Sequence, residues 1–296
     1  MEFHMQKSLI YKTLIWNGSV SIAVLDTTAL VNEAIRRHAL TPVAAAALGR
    51  TMTATAYLCS WLKADESSLS VTVSGTGAGG KICVAGDGAL NLRGFVEHPE
   101  ADLPLRADGK LDVGGFTGRK GTVTVIRDDG EGIPFVGTSE LVSGEIAEDF
   151  SAYFLTSEQR PTAIALGVKI SPEGKCITAG GLFLQPLPGA GEETIERIER
   201  EIGGYSRLST HIEERGAEGV LRDFAPLESF DTREIAFQCH CSRERIGSLI
   251  LSLGKEQAQS ILRDEGRVSV YCHYCNTTYD FDEEETLSLF AVGGNA

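Results

Sequence analysis

Basic charge is scarce in this chain: 27 lysines and arginines stand against 41 aspartates and glutamates, a formal net charge of −14. A surface of that sign repels phosphate backbones and anionic lipid, which argues against nucleic acid and membrane partners. Long hydrophobic runs are also missing. The apolar stretch from Thr51 to Leu62 stops well short of the roughly 18 residues a bilayer-spanning helix needs. The beginning, MEFHMQKSLIYK, lacks the apolar centre of a secretion signal, because Lys7 and Lys12 enclose only four residues. MEFH reads as a foreign extension ahead of Met5, and a cytoplasmic location is expected. There is no G-x-S-x-G nucleophile elbow, no internal repeat, and no low-complexity tract beyond the acidic cluster Asp282 to Glu285.

What remains is ample. A chain of 296 residues can bury one large core or two to three smaller ones, and its 33 glycines point to many tight turns and a substantial β component. Seven cysteines are present. An odd number without a secretion signal fits a reducing compartment, where thiols serve metal binding or redox chemistry more often than structural disulfides.

Asp26, Thr27 and Thr28 offer capping oxygens to a helix running to Arg37. Thr41 followed by Pro42 predicts the cap and first residue of an alanine-rich helix toward Leu62. From Leu69 the period falls to two. Leu69, Val71 and Val73 alternate with Ser70, Thr72 and Ser74 as in a half-buried strand, and Lys81 to Val84, Leu92 to Val96 and Thr122 to Ile126 continue as strands. Ser143 is read as the cap of a helix carrying Ile146, Phe150 and Phe154, and Ser157 with Pro161 as the mark of a second helix. Ala163 to Ile170 and Ile177 to Leu184 are further strands. After Gly191 the texture changes. Ile195, Ile198 and Ile202 sit at helical spacing; Tyr205, Leu208 and Ile212 suggest another helix, and Leu221, Phe224, Leu227 and Phe230 a third. Gly203, Gly204, Gly216 and Gly219 keep each piece short, and helices that short are marginal without tertiary support. Periodicity alone makes this stretch a helical hairpin docked on the core. The expected class is α+β: a core over 1–190 with a mixed or antiparallel sheet and packed helices, a helical linker over 191–235, and a small cysteine-rich module over 236–296.

One phosphate-binding pattern fails on inspection. GTGAGGK, Gly75 to Lys81, matches parts of a dinucleotide fingerprint and of a P-loop, yet Ile82 stands where a magnesium-holding hydroxyl is required, and Ile82-Cys83-Val84 reads as a strand where a helix is needed. It is read as a hairpin turn. Ser139, His211 and the scattered acids form no readable hydrolase signature. His38 follows Arg36 and Arg37 at a helix end, where a cation suits the dipole. Cys59, Cys83 and Cys176 lie singly in apolar or strand-like surroundings and are read as small hydrophobes.

The C-terminal constellation differs in kind. Cys239-His240-Cys241 is followed after 30 residues by Cys272-His273-Tyr274-Cys275. Two close pairs joined by a stretch long enough to fold back can deliver four thiolates to one tetrahedral point, the arrangement a structural Zn²⁺ prefers. His240 and His273 could replace a sulfur, but with four cysteines available both are expected to face solvent. One Zn²⁺ would keep the sulfurs deprotonated and masked. An oxidant that captures one thiolate weakens such a site, and a neighbouring cysteine can then resolve the sulfenic acid into a disulfide. The module would thus work as a redox-released latch.

Three functions are compatible with this reading. A nucleic-acid-binding or regulatory zinc ribbon is disfavoured, since residues 236–296 carry five basic and nine acidic side chains. A thiol-disulfide oxidoreductase using Cys272 and Cys275 lacks the βαβ context that usually precedes such a pair. The third is a redox-switched binding protein whose client surface stays covered until the module unfolds.

The C-x-C and C-x-x-C pairs resemble those of the heat shock protein 33 family, redox-regulated holdase chaperones. The segments LDTTALVNEAIRRH (25–38), AAALGR (45–50), LVSGEIAEDF (141–150), YFLTSEQRPTAIALGV (153–168) and AGGLFLQPLPGA (179–190) extend the resemblance over nearly the whole chain. The resemblance implies that Cys239, Cys241, Cys272 and Cys275 bind Zn²⁺ when reduced, and that oxidation pairs Cys239 with Cys241 and Cys272 with Cys275. It implies a linker that packs over the core until zinc is lost, then exposes surface for unfolding client proteins. A homodimer on activation, holding without ATP, and no enzymatic reaction complete the expectation. Cys59, Cys83 and Cys176 fall outside that switch.

Overall fold

The computed structural model describes residues 7–224 and 230–292, in two compact units, Met1–Gln238 and Cys239–Ala296. The MEFH extension, Met5 and the helical position given to Leu227 lie outside the described residues.

In the first unit the strands are β1 (Ser8–Ile15), β2 (Val20–Asp26), β3 (Ser68–Gly75), β4 (Lys81–Asp87), β5 (Asn91–Val96), β6 (Gly121–Asp128), β7 (Phe135–Glu140), β8 (Ala163–Ile170), β9 (Cys176–Pro186) and β10 (Asp231–Phe237). They form one sheet in the order β7-β6-β3-β4-β5-β10-β1-β2-β9-β8. Every neighbouring pair is antiparallel except β5 and β10, which run parallel through Asn91–Ala236 and Leu92–Phe237. Within the sheet, the two halves meet only through β10.

The helices of this unit are α1 (Thr28–His38), α2 (Pro42–Cys59), α3 (Val113–Thr117), α4 (Ala147–Thr156), α5 (Glu192–Gly203) and α6 (Leu208–Arg222). Thr41 caps α2 by accepting from the Ala44 amide, with Pro42 at the first position, as the sequence predicts. Apart from Arg50, α2 is buried from Val43 to Cys59. Its alanines suit that placement, because a helix buried all round gains from small residues that let neighbours approach. At Gly49 a side chain would stand 2.9 Å from Val31 Cγ2, so α1 and α2 touch backbone to side chain. The buried Thr51, Thr53 and Thr55 hydroxyls donate to carbonyls one turn back, which removes the penalty of burying them.

Burial differs between the two ends of the sheet. On β3 only alternate residues are buried, Leu69, Val71 and Val73, as the period of two predicts. On β2 and β9 both faces are buried. Ala23 and Leu25 face the core built around α2, whereas Val20, Ile22 and Val24 join Leu182, Leu184, Ile198, Leu208, Ile212, Val220 and Leu221 in a second apolar cluster. Helices α5 and α6 therefore cover an aliphatic sheet face.

Several local expectations are corrected. Val20–Asp26 is a strand where no element is expected from the sequence. No helix follows Ser157, which instead ends α4 by donating its amide to the Tyr153 carbonyl; Arg160 and Pro161 lead straight into β8. Ser143 does not cap α4. Asp149 does the work from inside the helix, accepting from the amides of Val142, Ser143, Gly144 and Ile146. Of the third helical piece, Leu221 lies in the last turn of α6, Phe224 follows the end of that helix and Phe230 leads into β10. Gly204 ends α5 and Gly216 breaks α6 at φ +71°, while Gly219 is helical. The glycine-rich turn behaves as read, with Lys81 opening a strand and Gly79 donating to the Phe116 carbonyl, so its glycines serve close approach to α3.

In the second unit, α7 (Arg243–Leu253), α8 (Lys255–Glu265), a hairpin of β11 (Val268–Cys272) and β12 (Thr277–Phe281), and α9 (Glu283–Val292) surround a small core. Among the described residues, its buried apolar cluster is Ile246, Ile250, Ala258, Val268 and Phe281. Five such residues supply little hydrophobic stabilisation for a module of this length, so a further crosslink is expected.

Candidate metal centre

Both halves of the centre follow from local geometry in the second unit. Cys272 ends β11, and the turn to β12 is closed by the Asn276 amide donating to the Cys272 carbonyl at 2.9 Å, with Asn276 at φ +57°. Asparagine tolerates that left-handed conformation better than most residues, and the turn brings Cys275 back beside Cys272. Cys239 and Cys241 arrive just before α7, whose cap is Ser242, accepting from the Arg245 amide. Cys241 thereby sits next to a helix N-terminus, where negative charge is favoured.

The four sulfurs lie within 4.8 Å of one another. Cys239 Sγ is 3.8 Å from Cys272 Sγ, and Cys241 Sγ is 3.1 Å from Cys275 Sγ. Tetrahedral zinc with bonds of about 2.3 Å needs sulfur-sulfur edges of about 3.8 Å, so this soft donor set fits that ion and could hold a metal. Tyr279 on β12 donates from its hydroxyl to Cys241 Sγ at 3.2 Å, and Thr277 Oγ1 lies 3.3 Å from Cys275 Sγ. Burial opposes ionisation of Cys241, but hydrogen bonds from Tyr279 and the three other cysteines outweigh it and bring the thiol down to about 7. Burial raises Cys239 and Cys275. The bond to Cys241 in turn pushes the Tyr279 phenol upward. Four sulfurs this close cannot all carry charge without a cation among them; burial first, and then the hydrogen bonds they share, set their acidities apart.

His240 and His273 are both exposed. Cys59 and Cys176 are buried in the first unit, their thiols held protonated mainly by desolvation. Cys83 is only half-buried on β4, which corrects its reading as a core residue. Ser139 and His211 do not form a charge relay: the Ser139 hydroxyl has no partner among the described residues, and the His211 ring receives Arg215. Sequence reasoning missed Tyr279 and Thr277. Their only signal was alternation on the strand after the second cysteine pair.

The pattern of the Hsp33 protein family matches residues 8–282. This chain belongs to the Hsp33 family. Within it, the 33 kDa chaperonin of Bacillus cytotoxicus is 39% identical over 96% of this chain and 98% of its own length. That of Desulforamulus reducens is 40% identical over 91% of this chain and 92% of its own. The crystal structure of the 33 kDa chaperonin from Thermotoga maritima, a heat shock protein 33 homologue, superposes with a TM-score of 0.87 at 33% identity, covering 98% of this chain and 100% of that one. Hsp33 membership makes the chain a chaperone, and its relatives are named for chaperonin activity rather than for a reaction. Among the described residues no helix is long and apolar enough to cross a membrane.

Proposed function

We propose that this chain is an ATP-independent holdase of the cytoplasm, kept inactive by one Zn²⁺ on Cys239, Cys241, Cys272 and Cys275, and activated by oxidation of those residues. The observation that carries this reading is the four-sulfur cluster. Bound there, Zn²⁺ would hold the sulfurs as thiolates and crosslink a module whose own core is small. The functional segments are the core over 1–190, the covering linker over 191–235 and the switch module over 236–296. The covering part of the linker is α5 and α6; its end is strand β10 of the core sheet, which stops at Phe237, two residues before Cys239.

The chemistry balances with a peroxide as oxidant. One thiolate attacks the peroxide oxygen and becomes a sulfenic acid with loss of hydroxide. Its neighbour attacks that sulfur, forming the disulfide and releasing the second hydroxide. Pairing within each motif, Cys239 with Cys241 and Cys272 with Cys275, uncouples the two halves of the module. Pairing across them, Cys239 with Cys272, would staple the halves together and preserve the fold. The local pairs are those the family resemblance implies, and they suit a release. With the module unfolded, the glycine-broken helices α5 and α6 come away and bare Val20, Ile22, Val24, Leu182 and Leu184, an aliphatic face suited to unfolding clients. Activation is accompanied by homodimer formation. Nucleic acid, membrane and ATP take no part.

The test treats reduced, zinc-loaded protein with peroxide at mildly raised temperature. Zinc release is followed with a chromogenic chelator, disulfides by peptide mapping, and activity by light scattering of a heat-unfolding client. The reading fails if the oxidised, zinc-free form suppresses aggregation no better than the reduced form.

A further inference from the structure

We propose that Trp16, in the turn between β1 and β2, is a weak fastener for the linker, anchoring α5 and the end of α6 while leaving one buried polar group unpaired. This inference rests on the reading of the linker as a releasable cover.

The turn is unusual for the residue that occupies it. Trp16 has φ +52°, and Asn17 and Gly18 follow at +57° and +77°. The Gly18 amide donates to the Ile15 carbonyl at 3.1 Å and the Ser19 amide to the Trp16 carbonyl at 3.2 Å, which locks the turn. A bulky aromatic in the left-handed region is strained, and such strain persists only where surrounding contacts enforce it.

The linker packs on the side chain that this turn presents. The Arg197 guanidinium of α5 lies over the indole, 4.0 Å from the ring centre. Phe224, just past α6, packs against it at 6.5 Å. Phe224 is stacked in turn on Tyr205 at 5.4 Å, and the Tyr205 hydroxyl donates to Asp223, which also receives Arg215. Both linker helices thus converge on one core side chain. Yet the indole Nε1–H is shut off from solvent with no hydrogen-bond partner among the described residues. Docking strips water from that donor and returns nothing, so the docked state is weaker than its packing alone would make it. Release of the linker rehydrates the N–H.

The test is amide hydrogen exchange on the full-length, reduced, zinc-loaded protein, with peptides from 194–222 reporting linker opening and 69–73 as the core reference. Trp16→Phe keeps a ring for Arg197 and Phe224 but deletes the donor; exchange in 194–222 is expected to slow about five- to tenfold. Trp16→Ala and Arg197→Met remove the anchor, and exchange there is expected to quicken several-fold with 69–73 unchanged. The proposal is overturned if Trp16→Phe exchanges as fast as the parent or faster. It is also overturned if the Trp16→Ala acceleration extends equally to 69–73, since the residue would then hold the core and not the linker. No oxidant enters these measurements. A failure of peroxide to raise client holding would therefore count against the switch reading without altering these rates.

Discussion

The Tyr279 hydroxyl donates a hydrogen bond to Cys241 Sγ across 3.2 Å, placing a strand residue with no motif of its own among the sulfurs of the centre. Removing that donor with Tyr279→Phe should raise the Cys241 thiol from about 7. The sign follows from the direction of the shift. A thiol depressed in the fold contributes stability in full above its unfolded value, near 8.5, and loses it as pH falls through about 7. In metal-free reduced protein, the pH midpoint of iodoacetamide alkylation at Cys241 is expected to move upward in the variant. Zinc affinity, measured by chelator competition, should fall roughly tenfold, the usual cost of losing a group that orients a ligand.

Cys272→Ser and Cys275→Ser should each abolish stable zinc retention, while Cys83→Ser on β4 should leave it intact. Chelation of the parent should melt the second unit, because structural zinc supplies on the order of 10 kcal/mol to such folds. Amide exchange localised to 239–292 checks this. Equal protection with and without metal would show that the small core suffices by itself.

On the proposed reading of the linker as a releasable cover, Gly167 offers a route to activation without oxidation. A side chain there would stand 2.6 Å from the Ser209 amide nitrogen, so β8 and the first turn of α6 meet backbone to backbone. Gly167→Ala should therefore push α6 off the sheet. The reduced variant is expected to suppress client aggregation well above the reduced parent, with zinc still bound. Ile212→Ala, at a side chain only 3% exposed, should act in the same direction, at a cost of about 2–4 kcal/mol to docking.

Asp149 holds the entry to α4 through four backbone amides, so it belongs to the scaffold and not to the switch. Asp149→Ala should cost about 2–4 kcal/mol by orphaning those donors. In a unit of this size that lowers the melting temperature by roughly 5–12 °C. Calorimetry of the reduced protein checks it, and zinc stoichiometry should not change.

The candidate centre was legible because cysteine spacing survives translation into space almost unaltered: two short pairs and a return segment suffice. Helix α2 was legible because Thr41 and Pro42 announce it, and β3 because its inner and outer faces differ. Strand β2 was obscured for the opposite reason. Buried on both faces, Val20–Asp26 carries no alternation to read. Asp231–Phe237 was hidden by its context, since its partners β1 and β5 lie more than 130 residues away in sequence. Asp149 deceived in another way: a cap supplied from within the helix leaves no signature at the residue before it.

The placement of β10 carries a consequence for biosynthesis. The strand that joins the two halves of the sheet is the last core strand to be made, so a nascent chain can form the hairpins on either side but cannot close the sheet until Phe237 has left the ribosome. Pairing of such high sequence separation is slow to form. Through that interval the edges of β5 and β1 lack the partner that closes them in the finished sheet, and unpaired edges of that kind template association with other chains.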